Sequence, residues 1–126
     1  MKPGLLQAFI NENETRALKP GEWDCALCAA EWVKVSTGRD LAEEYRGRYK
    51  TMKAGQKLIA AQGYEDHVAM VAAHFPEVHP AFAQIGDLAA VGDALGIVVG
   101  EHVFVLRETG FGIVMLEQAD RAFEVR

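Results

Sequence analysis

The chain has 126 residues, half of them apolar and a quarter charged, and a net charge of −5. That is enough for one globular domain with a core of its own, spanning residues 1–126, and too little for two. The acidic balance and the lack of any Lys/Arg cluster argue against nucleic acid or an anionic membrane as the main partner. No apolar stretch is long enough to cross a bilayer, and Met1-Lys2-Pro3-Gly4 leads straight into an amphipathic segment, so neither a membrane span nor a signal peptide is expected.

In chain order, Leu5, Leu6, Phe9 and Ile10 make one apolar stripe, ended by the polar stretch 11–15, which predicts a short amphipathic helix. A second and stronger helix starts near Asp24, just past the turn Pro20-Gly21. In it Cys25, Cys28, Ala29, Trp32 and Val35 or Ser36 share one core-facing side, and Gly38 is the stop. Residues 39–49 are mixed and predict a short helix plus an irregular crossing, a solvated face whose Arg and Tyr content also suits an interface. Thr51 caps a third helix that runs to Gln62 and stops at Gly63, and residues 65–75 form a fourth, stopped by Pro76.

After Pro80 the texture changes to short apolar runs at 88–91, 95–99, 103–106, 113–116 and 123–125. Gly92-Asp93, Gly100-Glu101 and Glu108-Thr109-Gly110 separate the first four. Runs this short, joined by turns of two or three residues, predict an antiparallel meander. Helices first and strands afterwards point to an α+β domain with the helices on one side of a curled sheet.

The chemistry concentrates at Trp23-Asp24-Cys25. A cysteine in the first turn of a helix faces unpaired backbone N–H groups and the positive end of the helix dipole, which favour thiolate over thiol. Cys25 and Cys28 also spell Cys-x-x-Cys, but the segment before them reads as helix and not strand, unlike a thioredoxin-type pair. No second Cys or spaced His pair completes a zinc site, and two cysteines on one helix do not make a disulfide framework. No metal or cofactor is expected, and Cys28 reads as a small buried residue.

Trp23-Asp24-Cys25 heading a helix, then Gly86-Asp87-Leu88 opening a strand, then Gly96-Ile97-Val98-Val99-Gly100 in the next, resemble the NlpC-type branch of the papain-like cysteine peptidases. Gly38-Arg39-Asp40, the stretch 45–49, Ala94-Leu95-Gly96 and the terminal stretch 121–125 look like a small phage and prophage family of unknown function related to that branch. The resemblance implies a papain-like fold with Cys25 at the nucleophile position, and Trp23, Asp24, Asp87, Ala94 and Arg107 around the pocket. Where the peptidases carry their histidine base this chain has Ala94, and Ala26-Leu27 replaces the Ser-Gly after the nucleophile.

A cysteine without an imidazole lacks both its base and the acid for a leaving amine. Among the four histidines, His102 falls about five residues along the sheet from the needed place, roughly 16 Å. His67 reads as solvent-facing on a helix, and His74 and His79 flank the Pro76 loop. His79 is the least unfavourable base, and Arg107, near the vacant position, cannot be one. The expectation is therefore a phage tail-tip structural or assembly protein on a papain-like fold that has lost peptidase activity. Its partners would be other tail proteins and its location the host cytoplasm during assembly, then the virion tail. The alternative is a cysteine hydrolase that cleaves peptidoglycan peptides through Cys25.

Overall fold

The computed structural model describes residues 3–126; Met1 and Lys2 of the N-terminal reading lie outside it. Four helices come first. In α1 (Pro3–Asn13), Leu6, Phe9 and Ile10 turn inward while Leu5 stays exposed. The central helix is α2 (Cys25–Thr37), capped at its start by the Asp24 carboxylate and closed by Gly38, which has φ 82 and donates its N–H to the Lys34 carbonyl. It buries Leu27, Cys28, Ala29, Trp32 and Val33, more of its circumference than one stripe. Two clusters account for this. Cys28, Ala29, Trp32 and Val33 pack with α1, the fourth helix and the sheet, while Leu27 packs with Ala42, Tyr45 and Ile59 on the other side. Val35, assigned to the core by the single-stripe reading, is 40% exposed, because it falls on the flank of the sector centred on Ala29, Trp32 and Val33.

Residues 39–50 form an irregular crossing of turns without the expected short helix. It is tied back to α2 through Arg46, which bridges Asp40 at 2.8 Å and Glu31 at 3.1 Å. Thr51 caps α3 (Met52–Ala61) by accepting from the Ala54 N–H, and Asp66 caps α4 (His67–His74) by accepting from the Ala69 N–H.

The remaining chain forms one antiparallel sheet: β1 (Glu77–Val78), β2 (Leu88–Val91), β3 (Ala94–Val99), β4 (His102–Arg107), β5 (Gly110–Met115) and β6 (Arg121–Phe123), in the order β1-β6-β2-β3-β4-β5. Strands β2 to β5 are the expected meander, and β6 returns to the free side of β2. The β2–β3 turn is the two-residue Gly92-Asp93, with φ 63 at Gly92, the conformation that glycine adopts at no steric cost. Leu88, Ala90, Leu95, Ile97 and Phe123 face the helices. Ala89, Val98, Val103 and Val105 face away and are covered by segments carrying short 3-10 turns, Pro80–Phe82 and Leu116–Gln118.

Two differences from the expected strands have physical causes. The β1 strand is only two residues long, too short to show a period, and is held by its ladder with β6 and by Arg121 on Glu77 at 2.7 Å. The β6 strand covers residues 121–123 and not 123–125, since the Val125 N–H goes to the Asp87 carboxylate and not to a strand partner, while its side chain packs in the core.

Gly96 sits in mid-β3 where a strand glycine costs entropy, and close packing gives the reason. A Cβ there would lie 2.4 Å from Val103 Cγ1 and 2.7 Å from the Phe104 carbonyl oxygen. Gly96→Ala is expected to lower unfolding stability in urea by about 1–3 kcal/mol, the range for overpacked cores; an unchanged midpoint would show that β4 yields freely.

Candidate active site

Three element ends meet at one place: the start of α2, the start of α4 and the β2–β3 turn. Cys25 is the first residue of α2 and is half-buried. Its position is fixed by Asp24, which is fully buried and accepts hydrogen bonds from the Leu27 N–H at 2.9 Å, the Gly21 N–H at 3.1 Å and the Tyr49 hydroxyl. With Leu27 capped, the Cys25 and Ala26 N–H groups remain at the head of the helix, where no intrahelical acceptor exists.

His67 is the first residue of α4, and its Nε2 lies 3.9 Å from Cys25 Sγ. The same nitrogen is 2.6 Å from the carbonyl oxygen of Asp93, in the β2–β3 turn. A carbonyl only accepts, so Nε2 carries a proton. That N–H is donated to the Asp93 carbonyl, and the Cys25 sulfur is the more distant neighbour of the same nitrogen. Burial works against the charged ring, but the hydrogen bond and charge of Cys25, the Asp93 carbonyl and Asp66 outweigh it, and His67 is raised above the ordinary histidine value. The cavity in front of the pair has a volume of about 230 Å³ and is lined by Asp24, Tyr49, Gln56, Asp93 and Ala94 beside Cys25 and His67.

His67 is thus the imidazole partner of Cys25 and not a solvent-facing helix residue. His79 occupies another place. It caps the 3-10 turn at Pro80 by accepting from the Ala81 N–H, and it lines a cavity with Gly100 and Glu101 at the far end of β3. His102 pairs with Val99 at that same far end, and His74 is held by the Met70 carbonyl at 2.8 Å.

Of the five residues placed around the pocket, Asp24 and Ala94 line it and the other three do not. Trp23 is a core residue against Phe9, with the Arg16 guanidinium 4.1 Å from its ring centre. Buried Asp87 accepts from the Gln84 and Val125 N–H groups and takes Arg126 at 3.5 Å, which ties the C-terminus to the sheet. It precedes Leu88, which pairs with Ile97, about 10 Å along the ladder from Ala94. Arg107 packs its side chain over Gly112, on the side of β4 away from β3; Leu106 takes the place at the cavity wall.

Sequence reasoning set His67 aside as solvent-facing and did not place Tyr49, Gln56 or Asp93 at the pocket. For His67 the signal was present, since Asp66 is an N-cap residue and the next side chain starts a helix as Cys25 does. Among the described residues there is no group of three or more His, Cys, Asp and Glu suited to a metal ion, and no helix long and apolar enough to cross a membrane.

The model of the family described as Domain of unknown function (DUF6950) matches residues 3–125, so the chain belongs to that family. No curated protein and no solved structure matches the chain.

Proposed function

For this member of the DUF6950 family we propose a cysteine hydrolase on a papain-like fold, with Cys25 as nucleophile and His67 as the general acid and base. The observation that carries the reading is Cys25 Sγ 3.9 Å from His67 Nε2, at the head of a helix and in an open cavity. A thiolate at Cys25 would attack the carbonyl carbon of an amide, forming a C–S bond and placing negative charge on oxygen beside the Cys25 and Ala26 N–H groups. The imidazolium of His67 would then give its Nε2 proton to the departing nitrogen as the C–N bond breaks. Water, deprotonated by the neutral ring, would attack the thioester and release a carboxylic acid and the thiol.

The papain-like assignment is supported by a cysteine heading the helix that packs on an antiparallel sheet, and by Ala94 lining the same cavity as His67. In this reading the imidazole is supplied from α4 where the peptidases supply it from the strand. Peptidoglycan stem peptides are the substrate that the resemblance suggests, in a phage or prophage setting. A second reading, a tail-tip adaptor without catalysis, is favoured by Ala26-Leu27 after the cysteine, where Leu27 is committed to the second core cluster.

Purified protein incubated with muropeptides separates the two. The native chain is expected to release new amino termini, with Cys25→Ser and His67→Ala at least about a hundredfold slower. Cleavage that survives Cys25→Ser, or a folded native protein that cleaves no muropeptide, would overturn the hydrolase reading on this substrate.

A further inference from the structure

Behind the Cys25–His67 pair lies a second cavity between α2, α4 and the crossing at residues 41–49, about 40 Å³ in volume. It adjoins the open cavity, since Ala26, Tyr49, Ile59 and His67 line both. Its further wall is apolar, made by residues such as Ala30, Ala42 and Met70, with one exception. Tyr45 lines it too, is only 6% exposed, and its hydroxyl has no hydrogen-bond partner. A buried hydroxyl left unpaired costs about 1–3 kcal/mol and calls for a partner. Burial raises this phenol above its ordinary value, so the hydroxyl stays protonated, able to donate and to accept.

We infer that this cavity is the specificity pocket of the proposed hydrolase, and that it takes a short branched aliphatic group on the acyl side of the scissile bond, one that offers an oxygen to Tyr45. The inference rests on the hydrolase reading. Size sets the class: at roughly 10–15 Å³ for each water-sized group, a volume of about 40 Å³ has room for a side chain of the valine or leucine kind and none for an aromatic ring or a long chain. Position sets the side. The pocket shares His67 and Ala26 with the open cavity, so the proposal has a carbonyl held at the Cys25 sulfur turn its own substituent inward while the leaving group stays in the open cavity.

A series of p-nitrophenyl esters of acetate, 3-methylbutyrate, 3-hydroxy-3-methylbutyrate and octanoate tests the pocket. In each turnover the thiolate forms a thioester and releases p-nitrophenolate, and water then returns the acid and the thiol. The native protein is expected to turn over 3-methylbutyrate with kcat/KM at least tenfold above acetate and octanoate, and the hydroxy analogue at least as well. Tyr45→Phe is expected to lose the hydroxy analogue selectively, by about tenfold against its parent. Ala30→Leu, which fills the cavity, is expected to bring 3-methylbutyrate down to the acetate level. Efficient turnover with a flat chain-length profile overturns the pocket and leaves the hydrolase reading standing. No ester turnover at all overturns both.

Discussion

At pH 6, iodoacetamide is expected to alkylate Cys25 of the native protein at least tenfold faster than free cysteine, and His67→Ala is expected to remove that advantage. The argument starts from the nucleophile, which is the thiolate; a free thiol near 8.5 supplies well under one per cent of it at pH 6. In this chain Cys25 heads α2 and faces an Nε2–H that also touches the Asp93 carbonyl. His67 is raised above the usual histidine value, so it holds its charge to a higher pH than a free imidazole does. The sign follows. Below that raised value the imidazolium is present and stabilises the thiolate. As pH rises through it the ring discharges while free thiols ionise unaided, so the native-to-variant ratio shrinks toward one.

Cys28 will not confuse the assay. Burial first, then the charge of Cys25, pushes its thiol far up, and mass mapping of the labelled peptide is expected to find a single site. Equal rates for native and His67→Ala at pH 6 would remove the ion pair from the account.

Much of the fold is legible in the sequence through local chemistry. Asp24, Thr51 and Gly38 bound helices because caps act within one turn of chain, and Gly92-Asp93 and Gly100-Glu101 fix the hairpins for the same reason. The site was legible only in half. Cys25 carries its own evidence, in a helix start preceded by an Asp. His67 has the same local setting behind Asp66, but its pairing with Cys25 comes from packing across 42 residues of chain. In α4 the buried stripe runs through Val68, Val71 and on to Phe75, so the residue before Val68 borders the stripe and reads as exposed. It is α4 lying against α2 that covers that border. Likewise Ala94 lines the cavity, but a missing side chain on one strand says nothing about which other element reaches the same space.

Asp24→Ala is expected to cost roughly 3–5 kcal/mol of unfolding stability, more than an ordinary lost cap. The size comes from three donors that converge on one fully buried carboxylate: the Leu27 N–H, the Gly21 N–H and the Tyr49 hydroxyl. Alanine leaves all of them without their acceptor. The Tyr49 phenol cannot relieve this by ionising, because burial, the largest cause that pushes it up in the native protein, remains when Asp24 is gone. For a chain of this length the melting temperature should fall by about 10–20 °C. Asp24→Asn keeps one acceptor for Leu27 and lets the Tyr49 hydroxyl turn round to accept, leaving one stranded donor and about half the loss. Tyr49→Phe removes a donor together with its need and should cost only about 1 kcal/mol. This ordering, Ala worst, Asn intermediate and Phe mildest, is what a calorimetric series would check. Because the same carboxylate sets the first turn that carries Cys25, the Ala variant should also lose the fast alkylation at pH 6 at temperatures where it is still folded. A variant that melts early yet alkylates at the native rate would separate the cap from the positioning of the nucleophile, and would place that job on the packing of α4 alone.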